Sequence, residues 1–157
     1  MHQKLLFQTE YQKKDIKLKL IAFFAKIIIP NSIFLFCGHV GAGKTFLIKK
    51  LLNRLFGLQD IISPTYTYVK NYSVADLCKI IHFDLYRLKS PEDFLSLGFW
   101  EELTSPRSIV IIEWPEIIIP LLEELVKEKN IYLVLLAANP AHQQKNRWLE
   151  VYKMEKE

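Results

Sequence analysis

The stretch Gly38-His39-Val40-Gly41-Ala42-Gly43-Lys44-Thr45 limits what this chain can fold into more than any other. It fits the pattern GxxxxGK[ST], and its flanks are those the pattern requires. Before it, Ser32 to Cys37 (SIFLFC) reads as a buried strand. From inside it, Lys44 to Phe56 reads as an amphipathic helix, with Leu47, Ile48, Leu51, Leu52 and Leu55 on one face. Lys49, Lys50, Asn53 and Arg54 share the other face, and Gly57 is placed to end the helix in the left-handed conformation. Strand, glycine loop and helix make a P-loop. Glycines let the backbone N–H groups curl around a phosphate without Cβ clashes, and the helix N-terminus adds its positive dipole end. Gly38, His39, Val40, Gly41, Ala42 and Gly43 are therefore candidate nucleotide contacts. Lys44 is expected to bridge the β- and γ-phosphates, and the Thr45 hydroxyl to bind Mg²⁺.

Around this centre, strand and helix signals alternate. Lys4 to Gln8 is a short strand candidate, and Asp15 to Ile28 has the broad apolar face of a largely buried helix. Tyr66 to Tyr72 and Lys79 to Tyr86 read as strands too close in sequence for a parallel crossover, which predicts an antiparallel hairpin. Ser90-Pro91-Glu92-Asp93 supplies a cap, a first-turn proline and early acids, opening a short helix. Ser108 to Ile112, Ile131 to Ala137 and Trp148 to Lys153 complete the strands, and Pro120 is expected to kink or restart a helix over Glu116 to Lys129. The reading is α/β: one P-loop NTPase domain over 1–157, three-layered, with a mostly parallel mixed sheet and an antiparallel β-hairpin.

A P-loop enzyme also needs acids beside its metal, at the ends of neighbouring strands. Ser108-Ile109-Val110-Ile111-Ile112-Glu113 has the apolar-run-then-acid form that suits this, so Glu113 is expected to hold Mg²⁺ or orient the attacking water. Asp84, in IIHFDLY, is the second acid for the same task. Alternation puts it on one face with His82, which reads as a structural hydrogen-bonding residue, and Tyr86. Which acid meets the metal directly is left open. Ser63-Pro64-Thr65-Tyr66-Thr67 follows the P-loop helix, where a hydroxyl can reach the γ-phosphate side of the metal, and reads equally as a proline turn leading into a β-rich strand. Trp114 follows Glu113 and reads equally as a core or a partner-facing aromatic. No arginine finger is evident; Arg87 and Arg107 are the candidates, with a partner-supplied arginine as the alternative.

Composition excludes several classes. The longest unbroken apolar run, Ile131 to Ala138, falls well short of the roughly 20 residues of a membrane helix. Met1 to Asp15 lacks the pattern of a signal peptide. Cys37 and Cys78 form no metal or disulfide framework, so a reducing cytoplasm is the expected location. The net charge of +4 is compatible with phosphate ligands. No basic stripe interleaved with aromatics argues for direct nucleic-acid binding, and Lys13, Lys14, Lys17 and Lys19 read as a solvated helix face.

GHVGAGKT, SPTYTYVKNY, HFDLYRLKSPEDFLSLGF and IVIIEWPE, in that order, resemble the TsaE (formerly YjeE) family, bacterial ATPases of the tRNA threonylcarbamoyladenosine pathway. The resemblance runs from Asp15 to Glu116 and more loosely beyond. SPTYT combined with HFDLYRL and EW carries its specificity. It implies ATP and Mg²⁺ as cofactors and slow hydrolysis coupled to TsaD and TsaB homologues. Those partners transfer the threonylcarbamoyl group to tRNA, so contact with tRNA is expected only through the complex. By motif, Lys44, Asp84 and Glu113 are the expected catalytic residues, and Thr45, Glu113 and Asp84 the expected metal residues. Thr65 is the switch-segment contact. His39-Val40 stand where the family has an acid and leucine, and Phe46 where it often has a second threonine. Asn146-Arg147 occupies the place of a common Gly-Arg pair, making Arg147 a further expected nucleotide contact. A small-molecule kinase and a nucleotide-gated binding module with little turnover are the alternative readings.

Overall fold

The computed structural model describes residues 1–75, 78–138 and 146–156. Seven strands form one sheet: β1 (His2–Gln12), β2 (Ser32–Cys37), β3 (Val69–Val74), β4 (Cys78–Asp84), β5 (Ser108–Glu113), β6 (Asn130–Ala138) and β7 (Asn146–Glu155). Their order across the sheet is β1-β7-β6-β2-β5-β4-β3. The four central strands, β6, β2, β5 and β4, run parallel. β3 joins β4 as the expected antiparallel hairpin, and β7 and β1 extend the opposite side antiparallel.

Helices α1 (Leu18–Ile27) and α2 (Lys44–Phe56) cover one face of the sheet, and α3 (Pro91–Ser96), α4 (Phe99–Thr104) and a 3₁₀ stretch cover the other. β2 explains why both faces must be covered. Its side chains alternate between the two cores: Phe34 and Phe36 pack with Leu20, Phe24, Leu47 and Leu51, and Ile33 and Leu35 pack with Ile112, Ile118 and Leu122. A strand apolar on both faces from Ile33 to Cys37 is stable only between two layers. The Phe34 ring stacks on Tyr132 with centroids 5.1 Å apart and meets Phe24 at 6.3 Å, which locks β2 to β6 and α1.

The ends of the elements depart from the expected bounds for local reasons. β1 and β7 are longer than their apolar runs because they pair with each other from His2↔Glu155 to Gln12↔Asn146, so the ladder and not burial sets their length. α1 starts at Leu18 because Gln12 and Asp15 close a bridged turn ahead of it. The hairpin ladder begins only at Val69. Pro64's carbonyl accepts from both Thr67 and Tyr68, and Tyr68 takes φ +63°. The helix expected over Glu116 to Lys129 is instead two 3₁₀ segments, Glu116–Leu122 and Leu125–Lys127. Pro120 stands inside the first segment and has no N–H to give to an α-helical ladder. α3 opens as read, with the Ser90 hydroxyl accepting from the Asp93 N–H at 3.1 Å. No helix is long and apolar enough to cross a membrane among the described residues.

The register positions the site. Phe36 pairs with Glu113, and Asp84 pairs with Glu113, so β2, β5 and β4 end side by side. Chain leaving β2 crosses to α2 on one face, whereas chain leaving β5 passes into the 3₁₀ stretch on the other. Crevices of this kind, at the carboxyl ends of parallel strands, are where α/β sheets bind ligands.

Candidate functional site

The loop Gly38–Gly43 leaves β2 and turns into α2 through three glycines at positive φ: Gly38 at +148°, Gly41 at +80° and Gly43 at +104°. At Gly38 the need is also steric, since a Cβ there would run into the carbonyl of Leu136. Behind the loop, Arg147 is only 8% exposed, and its Nε donates to the Ala42 carbonyl at 2.9 Å. Read from sequence as a nucleotide contact, Arg147 bears on the loop's own backbone and braces it.

Lys44 turns back over the loop. Its Nζ donates to the carbonyls of Gly38 at 2.6 Å and His39 at 3.2 Å, and lies 3.5 Å from the centre of the Trp114 ring. Burial lowers its pKa, opposed by the charges of Glu113, Glu116 and Asp84. Trp114, at φ +60°, is flanked in turn by Tyr86, with ring centres 4.9 Å apart. Its place is thereby settled. Trp114 belongs to the mouth of the site and not to the core.

The two acids divide their partners. The Thr45 hydroxyl reaches both oxygens of Glu113, at 2.9 and 2.7 Å, and the Nε2 of His82 meets Glu113 Oε1 at 3.0 Å. Asp84 Oδ2 accepts from Ser63 at 2.7 Å and Thr65 at 2.5 Å, and its Oδ1 accepts from the Tyr86 N–H at 3.1 Å. Glu113 and Asp84 are 2% and 4% exposed, so these hydrogen bonds replace most of the hydration each carboxylate would otherwise have. Segment 63–65 is thus tied to one acid and helix α2 to the other.

A cavity of about 350 Å³ opens above this arrangement, lined by Gly41, Gly43, Lys44, Thr45, Thr65, Asp84, Glu113 and Trp114, with Ser63, Tyr86, Phe46, Val40 and Lys13 around them. Lys13 is the residue the sequence reading missed. Its side chain is half-buried at the P-loop, where the helix pattern had suggested a solvated face. Neither candidate finger arginine stands among these residues. Arg107 is at the opposite end of the sheet, its N–H donating to Asn31 beside the start of β5, and Arg87 stacks on the exposed Tyr66 ring at 4.3 Å.

The donor set is one hydroxyl and two carboxylates, all hard oxygens of the kind Mg²⁺ takes. No ready-made cage of three or more His, Cys, Asp or Glu occurs among the described residues.

Comparison with known proteins decides the family. The model of the threonylcarbamoyl adenosine biosynthesis protein TsaE matches residues 11–146. The chain belongs to the TsaE family. A TsaE from Rickettsia felis is 41% identical over 128 residues, covering 81% of this chain and 71% of the relative. One from Borreliella burgdorferi is 39% identical over 102 residues, covering 63% and 73%. The crystal structure of Bacillus subtilis YdiB shares the fold with a TM-score of 0.56 over 94% of this chain and 86% of that one, at 20% identity. Membership of TsaE places the chain in the tRNA threonylcarbamoyladenosine biosynthesis system.

Proposed function

We propose that this TsaE chain binds ATP with Mg²⁺, hydrolyses it slowly, and acts as a nucleotide-controlled switch on TsaB and TsaD homologues. The observation that carries this reading is the meeting of Thr45 with Glu113 at the P-loop, with Asp84 beside them in register. By donating its proton to Glu113, Thr45 keeps both hydroxyl lone pairs available to a cation. Thr45, Glu113 and Asp84 would hold Mg²⁺, which when bound neutralises charge on the phosphates. Lys44 exchanges the Gly38 and His39 carbonyls for phosphate oxygens, and its ammonium stabilises the charge that develops on the γ-phosphoryl group. A carboxylate at Glu113 or Asp84 orients the attacking water.

No arginine lines the cavity among the described residues, so turnover by the chain alone is expected to be slow and to rise when partners complete the site. A small-molecule kinase would need an acceptor pocket and an arginine-bearing lid, and among the described residues no arginine lines the cavity. The test is phosphate release from ATP and Mg²⁺ by the protein alone and with TsaB and TsaD, with Lys44→Ala as control. A low rate, stimulated by partners and abolished by the substitution, supports the switch. Tight ATP binding without release in either condition rejects the ATPase and leaves a nucleotide-gated binding module.

A further inference from the structure

Lys13 belongs to no P-loop motif. It lies in the turn joining β1 to α1, yet its side chain comes up against the glycine that opens α2. A Cβ built on Gly43 would stand 3.1 Å from Lys13 Cε and 3.7 Å from Nζ. The same side chain lines the cavity with Gly43, Lys44 and Thr45, and its Nζ is 5.8 Å from the centre of the Phe46 ring. Among the described residues no carboxylate forms an ion pair with it. Glu113 and Asp84 line the cavity too, but they are held by Thr45, His82, Ser63 and Thr65. A half-buried ammonium beside a helix N-terminus gains nothing from that helix, whose dipole presents its positive end there. Two positive fields converge on Gly43, and Lys44 adds a third from the next residue.

We propose that Lys13 is a second phosphate-binding cation of this site, delivered from outside the P-loop to the di- or triphosphate chain of the nucleotide. This rests on the nucleotide reading above and adds a residue to it. Lys14, its neighbour, is exposed and absent from the cavity wall, so the role belongs to one lysine of the pair. Phe46 contributes by setting its ring beneath the Lys13 ammonium, where a smaller aliphatic residue would offer no such face.

The test is calorimetric binding of ADP and of inorganic pyrophosphate to the full chain at low and high KCl. Lys13→Met is expected to weaken both ligands about tenfold, the loss of one charge-assisted contact, and to flatten the salt dependence. Lys13→Arg should bind close to wild type, and Lys14→Met should be unchanged. A circular-dichroism melt of each variant confirms the fold, and Lys13→Gln serves as the second neutral variant. If Lys13→Met and Lys13→Gln bind both ligands as wild type does at both salts, while Lys44→Ala loses them, Lys13 is no phosphate ligand and the nucleotide reading stands. If wild type binds neither ligand, both fall.

Discussion

Thr45 faces Glu113 and not Asp84: its hydroxyl lies 2.9 and 2.7 Å from the two oxygens of one carboxylate, while the other accepts from Ser63 and Thr65. The acids are register neighbours on adjacent parallel strands, so two negative charges share a small space. Their hydrogen-bond donors come from different directions. Glu113 is coupled to the P-loop helix and Asp84 to the segment leading into β3, so the two acids are anchored to different parts of the chain.

That division predicts unequal roles. Glu113→Gln keeps the side-chain volume and a carbonyl for Thr45 to donate to, but removes the charge that, if the water-orienting carboxylate is Glu113, hydrolysis depends on. Phosphate release should fall about 100-fold or more, with ADP affinity held within about threefold. Asp84→Asn should reduce release less, because its main loss is the hold on Ser63 and Thr65. Steady-state rates and calorimetry on both variants check this. An equal or larger loss in Asp84→Asn would transfer the water-orienting role to Asp84.

His82 is fully buried, with Nε2 at 3.0 Å from Glu113 Oε1 and Nδ1 without a partner among the described residues. A proton on Nε2 satisfies Glu113 and leaves only a lone pair unpaired at Nδ1, the cheaper of the two arrangements. His82→Leu fills the space but removes the donor from a buried carboxylate, and should cost about 1–3 kcal/mol of unfolding free energy. Gln carries an N–H to nearly the same point as Nε2, whereas Asn stops short at the position of Nδ1. Urea melts should therefore show His82→Gln recovering stability that His82→Asn does not. Equal losses would mean that His82 acts by packing alone.

Much of this was legible in the chain because motif and core coincide. GHVGAGKT demands a strand before it and a helix after it, and SIFLFC and the Leu47–Leu52 face supply them. Asp84 and Glu113 could be read as strand-end acids, since each follows an apolar run. Which hydroxyl each acid holds depends on the Asp84↔Glu113 register and on the turn after Pro64, and neither follows from local pattern. Lys13 was hidden for a related reason. The run of lysines from 13 to 19 fits a solvated helix, but α1 begins only at Leu18, and the turn before it aims one of them at Gly43. The length of β1 was hidden because its pairing with β7 spans exposed residues that carry no apolar signal.

Cys37 ends β2 just before the first P-loop glycine, and its thiol pKa is pushed from 9.0 up to about 12 by burial, reinforced by the charge of and a hydrogen bond to Glu116. Thiolate is the reactive form, so at pH 8 its labelling should be about a thousandfold slower than that of an ordinary thiol. Iodoacetamide kinetics in a Cys78→Ser background, native against urea-unfolded, measure the ratio. Linkage gives a companion result. The folded state holds this proton more tightly than the unfolded one, so the thiol's contribution to stability is intact below pH 9. It is lost as pH rises from there towards 12. A native labelling rate near that of the unfolded chain would mean that the loop opens often enough to expose Cys37.

The Lys44 ammonium over the Trp114 ring, 3.5 Å from its centre, is an optical reporter built into the site. Nucleotide phosphates should draw Nζ away from the ring and from the Gly38 and His39 carbonyls, changing what lies against the indole. With Trp100 and Trp148 replaced by Phe, the remaining emission comes from Trp114, and it should shift saturably on adding ADP. Lys44→Met removes the cation, so the free protein should already differ from wild type and respond far less to ADP. Trp114→Phe in the otherwise wild-type chain keeps an aromatic face for Lys44 and should bind ADP within about threefold of wild type, since a cation–π contact at a partly open site contributes only about 0.5–1 kcal/mol. A Trp114 signal that ignores ADP while calorimetry records binding would mean that Lys44 reaches the phosphates without leaving the ring, and that the indole forms part of the bound state.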